Sequence, residues 1–301
     1  GFSNITGTAC QPQITANSLT CNPTSYVTPD APNTHLFADG VHPTSRAHQI
    51  LSQYAISVLE APRQIAVLPH ATAVVGRARA DRVSGHLAGK PAGDGMRWWV
   101  DARADFQRYD SGNNYDGVGP TLTGGVDWTS GNFVYGGFAG FGHNAYDFGL
   151  RGGDFDQTEA TLGGFAGWYG EHAWVNGQLS YTFASYDVNR DVVLGPVTRT
   201  HSGSPDGNNL SFGVNAGYNL GGEALTHGPV ASVLIQRIDV DGYAEDQPTL
   251  STSLAYPDQT FDSMITSLGW QASYEINDHL APYARMTWDV APEDAAAATF
   301  A

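Results

Sequence analysis

The stretch Arg97-Trp98-Trp99-Val100-Asp101-Ala102-Arg103-Ala104-Asp105-Phe106-Gln107 decides the fold of this chain. Apolar side chains occupy the even-numbered positions from Trp98 to Phe106, whereas charged or polar side chains occupy nearly all the odd-numbered ones. Because successive side chains of a β-strand point to opposite faces, the stretch predicts a strand with one apolar and one polar face. A strand with one face in lipid and the other in a polar lumen has this pattern.

The same alternation recurs along the rest of the chain. It predicts nine strands, at 97–107, 121–128, 133–141, 157–168, 175–183, 210–220, 229–239, 264–276 and 280–289. Several reach the roughly 9–11 residues that a tilted membrane-spanning strand needs. Short turns, such as Ser130-Gly131 and Gly170-Glu171, alternate with long connections at 188–207 and 240–259. Short turns on one rim and long loops on the other are typical of outer-membrane barrels.

The composition agrees with this fold and limits the partners. The chain has 36 Gly, 14 Tyr, 13 Phe and 7 Trp but only 15% charged residues, which suits aromatic-belted strands. With 30 acidic against 14 basic residues, the net charge of -16 argues against nucleic acid as a ligand, because phosphate binding needs a Lys/Arg surface. No apolar run is long enough for a transmembrane helix.

The first part of the chain has a different character. Residues 1–42 are rich in Pro, Asn, Thr and Ser and predict loop structure. Residues 43–61 predict a helix, with Thr44 or Ser45 as its N-cap and apolar residues at helical spacing. We expect Pro62 to end it.

A second helix is predicted from Arg63 to about Leu87. Pro69 lies inside this segment, so we expect a kink there. Gly85 and Gly89 are the residues expected to close the helix.

A candidate catalytic pair precedes the first helix, in Phe37-Ala38-Asp39-Gly40-Val41-His42-Pro43-Thr44. Asp39 and His42 lie three positions apart on a short turn. An Asp that accepts a hydrogen bond from one ring nitrogen fixes the His tautomer, and the other nitrogen can then take a proton from a hydroxyl nucleophile. Only the nucleophile is missing from this stretch.

The motif Asp-Gly-x-His-Pro-Thr, followed by a predicted helix that carries His48, resembles the last sequence block of the GDSL (SGNH) family of serine esterases and lipases. Gly1-Phe2-Ser3-Asn4 and the segment from Cys10 to Cys21 resemble the lead-in to that block in the outer-membrane autotransporter branch. The resemblance implies that Asp39 and His42 are two members of a catalytic triad. The family's Gly-Asp-Ser nucleophile block and its oxyanion-hole Gly and Asn blocks have no counterpart in these residues. We therefore expect the C-terminal part of such an enzyme.

The resemblance divides the chain into three parts. Residues 1–61 are expected to be the C-terminal end of an α/β SGNH-hydrolase domain, 62–95 a linker helix through the barrel lumen, and 96–301 an antiparallel autotransporter β-barrel. The chain would thus be mainly β. Family barrels have about twelve strands and end on a terminal aromatic residue, whereas the nine predicted strands lead into a helix-prone or disordered run at 292–301. We expect the barrel to be incomplete at its C-terminus, which puts its insertion in question.

The implied function is that of an outer-membrane serine esterase or lipase acting on fatty-acyl or other carboxylic esters. Its hydrolase part would face the cell exterior, and the chain alone would be inactive. No cofactor is implied, and we expect a monomer whose partners are an ester or lipid substrate, outer-membrane lipid and the barrel-assembly machinery. One alternative is a translocator or membrane anchor without catalytic activity. Another is a soluble β-protein whose aromatic residues fill a core or bind glycans.

Three arginines, Arg77, Arg79 and Arg82, are concentrated in the second predicted helix. A solvated helical face is one interpretation. The resemblance supplies another, because a linker helix that runs through a barrel would set these arginines against acidic residues lining the pore.

Other polar residues have weaker patterns. Cys10 and Cys21 predict a disulfide formed in an oxidising compartment, with two free thiols as the alternative. His35 and His48 could join His42 as metal ligands, but no zinc spacing is present and satisfied surface or loop histidines are the better interpretation. The 110–116 loop lacks the register of an EF-hand, so a solvated turn is predicted rather than a calcium site.

Overall fold

The structure, a computed structural model, describes residues 1–13, 15–89, 93–109, 114–150, 152–222, 225–276 and 282–290. Most of the loop considered for calcium, 110–113, lies outside the described residues, as do the first two residues of the ninth predicted strand and the tail at 292–301. The chain is mainly β, as predicted, and consists of a curled antiparallel sheet preceded by helices.

The N-terminal part contains short elements where loop structure was predicted. They are β1 (Asn4–Thr8), a 3-10 turn at Ser18–Thr20, α1 (Ala31–Thr34) and β2 (His35–Phe37). The strands β1 and β2 pair in parallel, with Asn4 opposite His35. The prediction of loop structure over 1–42 was therefore wrong in part. Pairing between segments so far apart depends on the tertiary fold, which local composition does not encode.

Two helices follow almost without interruption, α2 (Ser45–Ile65) and α3 (Val67–His86). The N-cap of α2 is Thr44, whose Oγ1 accepts a hydrogen bond from the Ala47 amide at 3.3 Å. Pro62 lies inside α2 and does not end it, contrary to prediction. Because Ala61 and Ile65 are buried on either side, packing of this turn outweighs the loss of one amide donor.

The second predicted helix differs at both ends from α3. Pro69 lies in the first turn of α3, where an amide has no intrahelical acceptor, so it is not an interior break. The helix runs past Gly85 to His86, and the Leu87 amide still donates to the Val83 carbonyl at 3.1 Å. Among the described residues, no helix combines the length and the apolar character that a membrane crossing needs.

The remaining strands, in chain order, are β3 (Gly95–Tyr109), β4 (Tyr115–Ser130), β5 (Phe133–Phe148), β6 (Gly153–Tyr169), β7 (Ala173–Leu194), β8 (Val197–Gly203), β9 (Asp206–Tyr218), β10 (Leu220–Gly221), β11 (Leu225–Val240), β12 (Tyr243–Ala244), β13 (Ala255–Tyr256), β14 (Gln259–Tyr274) and β15 (Tyr283–Val290). The long strands follow the order β15-β14-β11-β9-β7-β6-β5-β4-β3, so each pairs antiparallel with its neighbours in sequence. Within the described ranges this order contains all nine predicted strands, most of them longer than the alternation indicated.

One predicted long loop is a hairpin. The strand β7 continues to Leu194 and β8 returns beside it, with Val188 opposite Gly203. Val188 and Val192 are buried, so apolar packing extends the hairpin beyond the main sheet. The 188–207 segment was therefore wrongly interpreted as a loop, whereas the connection at 240–259 contains only the small ribbon of β12 and β13.

The two faces of the sheet differ as the alternation predicts. On β3, the Trp98 and Phe106 side chains are 75% and 82% exposed, while Gln107 on the opposite face is buried. The inner face packs against α3, which contacts β7, β9, β11 and β14. This helix approaches the sheet closely at Gly76, where an added Cβ would clash with the amide ends of Asn209 and Gln236.

Candidate functional site

The candidate site is a turn that joins β2 to α2. The Ala38 amide donates to the His42 carbonyl at 2.7 Å, which closes the turn. Thr44 anchors its far end, because its amide donates to the Leu36 carbonyl at 3.0 Å and its Oγ1 donates to the His35 carbonyl at 2.9 Å. The same Thr44 Oγ1 caps α2, so helix and turn are fixed as one unit.

The structure brings the two predicted site residues together. His42 Nδ1 lies 2.8 Å from Asp39 Oδ2 and 3.0 Å from Oδ1. The Asp39 carboxylate is buried, whereas the His42 side chain is 61% exposed. In this pair the carboxylate is therefore shielded from solvent, whereas the imidazole ring is open to it.

Backbone amides keep the Asp39 carboxylate ionised. The His42 and Val41 amides donate to Oδ1 at 2.7 and 2.9 Å, and the Ser18 amide donates to Oδ2 at 2.9 Å. These donors hold the pKa of Asp39 well below its usual value, since hydrogen bonds to a carboxylate favour its charged form. An ionised carboxylate can only accept, so His42 Nδ1 carries the hydrogen in this pair.

The hydrogen on Nδ1 leaves the other ring nitrogen of His42 as the acceptor. In a neutral imidazole, protonated Nδ1 implies an Nε2 lone pair. No described residue forms a hydrogen bond to His42 Nε2, and the ring is exposed. The arrangement can therefore accept a proton from a hydroxyl group and hold the resulting imidazolium against a carboxylate.

Ser18 is a contact that the sequence did not reveal. Its amide comes from the loop bridged by the Cys10–Cys21 disulfide, which forms as predicted. The Cys10 amide donates to the Ala38 carbonyl at 3.1 Å, so the bridge is anchored beside Asp39. The cysteine pair was the only sequence signal for this loop, because a backbone amide has no residue signature.

The two histidines that were considered with His42 as metal ligands, His35 and His48, lie in different elements. His35 is buried in β2, where Nδ1 is 3.1 Å from Thr34 Oγ1 and Nε2 is 3.1 Å from Asn4 Nδ2. The prediction of a surface or loop histidine is wrong for His35, because the β1–β2 pair covers it. His48 lies exposed on α2. Across the described ranges, no three metal-binding side chains come together.

The arginines of α3 meet acidic residues of the sheet. Arg79 Nη2 lies 2.5 Å from Glu159 Oε1, and both side chains are buried. Arg82 pairs with Asp101 at 3.3 Å, and Arg77 pairs with Asp289. The prediction from the resemblance is confirmed: the arginines contact acidic residues on the inner face of the sheet.

A second junction joins α2 to the hairpin of β7 and β8. The Gly195 amide donates to Gln53 Oε1 at 2.7 Å, and the Tyr54 hydroxyl donates to the Ser251 carbonyl at 3.0 Å. Nothing in the residue pattern predicted these contacts. They connect the helix that follows the Asp39–His42 turn with the loop end of the sheet.

Curated relatives match nearly the whole chain. Lipase 1 of Photorhabdus luminescens is 28% identical in an alignment of 296 positions that covers 96% of this chain and 43% of that protein. Esterase EstA of Pseudomonas aeruginosa is 28% identical in an alignment of 312 positions, gaps included, that covers 97% of this chain and 46% of the relative. The chain therefore spans less than half the length of these relatives.

The fold also matches a solved structure. The translocator domain of the autotransporter NalP from Neisseria meningitidis aligns with a TM-score of 0.62 at 15% identity, over 76% of this chain and 81% of that domain. The model of the family described as autotransporter beta-domain matches residues 98–301. The chain thus belongs to the autotransporter β-domain family, the β-barrel proteins of the bacterial outer membrane.

Proposed function

We propose that this chain is the C-terminal part of an outer-membrane-anchored serine esterase or lipase, in which Asp39 and His42 are two members of a Ser-His-Asp triad. The observation that carries the proposal is the paired geometry of the turn, with Nδ1 of His42 on a buried, ionised carboxylate and Nε2 open to a reactant. The names of the relatives, a lipase and an esterase, favour the same chemistry.

In this reaction a serine outside the present chain attacks the carbonyl of a fatty-acyl or other carboxylic ester. His42 Nε2 takes the serine proton as the new C–O bond forms, and returns it to the alcohol that leaves. Water then repeats the sequence on the acyl-enzyme and releases the acid. Asp39 orients the ring and stabilises the imidazolium, and the oxyanion-hole donors lie outside the chain as well.

The proposal assigns a role to each part of the chain. Residues 1–61 complete the hydrolase domain, 62–95 form the linker through the lumen, and 96–301 form the barrel that holds the active site toward the medium. The protein acts as a monomer in contact with outer-membrane lipid after insertion by the barrel-assembly machinery. It needs no cofactor, because the triad supplies nucleophile, base and orienting group from side chains.

The test uses the complete protein that contains this chain. We expect it to hydrolyse a chromogenic butyrate ester, and we expect His42→Ala and Asp39→Ala each to lower kcat by at least about 10³-fold, as for removal of a triad member. His48→Ala is the matched control, since this exposed helical histidine belongs to no pair. The 301-residue chain alone should show no hydrolysis; turnover by it that requires His42 would contradict the assignment of the serine.

A second candidate function is that of a translocator or anchor without catalytic activity. The buried contact between Arg79 and Glu159 favours it, because it fixes α3 within the sheet independently of the Asp39–His42 turn. The two functions predict different results with the complete protein. If the membrane-inserted protein never hydrolyses esters of any chain length, the anchor function is correct.

A further inference from the structure

The Ser18 amide is the donor to Asp39 that comes from outside the catalytic turn. It lies 2.9 Å from Oδ2, the same oxygen that is 2.8 Å from His42 Nδ1. The other two amide donors, those of Val41 and His42, belong to the turn itself and move with Asp39. Only a group on a separate segment can fix the carboxylate relative to the rest of the hydrolase part.

The segment that carries Ser18 is held at both ends. Asn17 Oδ1 accepts a hydrogen bond from the Leu19 amide at 3.0 Å, and the Cys21 amide donates to the Ser18 carbonyl at 3.3 Å. The disulfide then joins Cys21 to Cys10, whose amide donates to the Ala38 carbonyl next to Asp39. A closed path of covalent and hydrogen bonds thus runs from the carboxylate through Ser18 and back.

We propose that the backbone amide of Ser18, held by the Cys10–Cys21 disulfide, is a positioning group for the catalytic carboxylate of Asp39. The inference rests on the proposed function. The amide fixes the rotation of the carboxyl group, so that Oδ2 stays aligned with His42 Nδ1 while the ring gains and loses a proton. Alignment of the orienting carboxylate acts on the chemical step rather than on substrate binding.

The test removes one hydrogen atom from the backbone. Ser18→Pro deletes the amide donor, whereas Ser18→Ala retains it and is the matched control. Ser18 is the first residue of the 3-10 turn, and Asn17 before it is extended at φ -115° and ψ 125°. Both positions accept proline and its preceding residue without strain. In the complete protein we expect Ser18→Pro to lower kcat roughly tenfold, with KM unchanged, because one hydrogen bond to a charged group is lost.

A positioning role is separated from a structural one by combining substitutions. In an Asp39→Ala background, Ser18→Pro should cause no further loss, since the amide then has no carboxylate to align. Reduction of the folded wild-type protein with dithiothreitol should lower kcat in the same direction and reoxidation should restore it. If Ser18→Pro fails to fold, the reduction experiment tests the positioning role on its own.

The outcomes are distinct. Equal kcat for Ser18→Pro and Ser18→Ala, an additive loss in the Asp39→Ala background, or full activity after reduction would overturn the positioning role while ester hydrolysis still depends on His42. If the wild-type protein does not hydrolyse esters, or does so without His42, the proposed function itself fails and the inference fails with it.

Discussion

Arg79 of α3 and Glu159 of β6 form an ion pair inside the curled sheet, with 2.5 Å between Nη2 and Oε1 and side-chain exposures of 3% and 0%. Arg79 Nη1 also donates to Thr161 Oγ1 at 2.6 Å, and Thr161 lies 2.7 Å from the Thr182 hydroxyl on β7. One helical residue is thereby connected to two strands. Among the ion pairs between α3 and the sheet in the described residues, it is the one whose two side chains are both almost fully buried.

Removing Arg79 alone should destabilise the folded sheet strongly. Arg79→Ala leaves the Glu159 carboxyl group buried without its partner, and such a loss costs about 3–5 kcal/mol. Denaturant unfolding in detergent micelles measures the effect. Arg82→Ala is the control, because its pair with Asp101 is partly exposed and should contribute about 0–1 kcal/mol. Replacing both partners, as in Arg79→Met with Glu159→Leu, should recover most of the stability; equal losses for all three variants would contradict this account.

The apolar outer face of the sheet should contact lipid. Leu162 lies midway along β6 and its side chain is exposed. Leu162→Arg should therefore lower stability in lipid vesicles by about 2–4 kcal/mol, the cost of a cation near the bilayer midplane. Val197→Arg is the control, since Val197 is also exposed but lies on β8, beyond the main sheet. A soluble β-protein would show similar, small effects for both substitutions.

The sequence predicts the sheet well because the period of two is a local signal with a strong physical cause. Along each long strand one face is mainly exposed and apolar and the other lies on the inner side of the curled sheet, so alternation recurs from strand to strand. That the α3 arginines contact acidic residues was predicted from the family resemblance and not from a local signal, and the partner of Arg79, Glu159, could not be identified in advance. Local signals failed where tertiary packing decides, as at Pro62 and in the hairpin around Val192.

The Asp39–His42 turn was predictable for a different reason. Asp39 and His42 are close in sequence, so a single turn brings them together. Ser18 was not predictable, because it contributes a backbone amide whose place depends on the disulfide and on the parallel pair of β1 and β2. Side-chain chemistry can be inferred from a sequence, whereas donors from the backbone become visible only in the fold.

The Asp39 carboxylate should stabilise the native state in a pH-dependent way. The amides of His42 and Val41, with that of Ser18, lower its pKa in the folded protein, while the unfolded value is about 3.9. A lowered pKa means that the stabilisation is complete above about pH 4 and is lost as the pH falls through the folded value. Denaturant unfolding of wild type and Asp39→Asn at several pH values measures it. Their difference should shrink as the pH falls below about 4; a difference that instead grows over this acidic range would contradict a lowered pKa of Asp39 in the folded protein.

A second buried ion pair holds the loop end of the sheet together. Arg190 at the far end of β7 contacts Glu245 through two bonds, 2.5 Å from Nε to Oε1 and 2.7 Å from Nη2 to Oε2. Arg190 Nη2 also donates to the Thr252 carbonyl at 2.8 Å, and Nη1 lies 3.5 Å from the Ser57 carbonyl of α2. One guanidinium thus joins the hairpin, the 241–258 connection and α2, the helix that follows the Asp39–His42 turn.

Arg190→Lys should loosen this junction even though the charge is retained. A lysine ammonium cannot reproduce two parallel bonds to Glu245 together with a bond to the Thr252 carbonyl, so the 241–258 connection loses its anchor. We expect limited proteolysis within 241–258 to become roughly tenfold faster, as a cost of about 1.4 kcal/mol in local opening implies. Arg237→Lys is the matched control, because Arg237 is exposed and lies 3.7 Å or more from its acidic neighbours. If the two variants are cleaved at equal rates, the charge at position 190 is sufficient, and the two-bond contact of Arg190 with Glu245 does not anchor the connection.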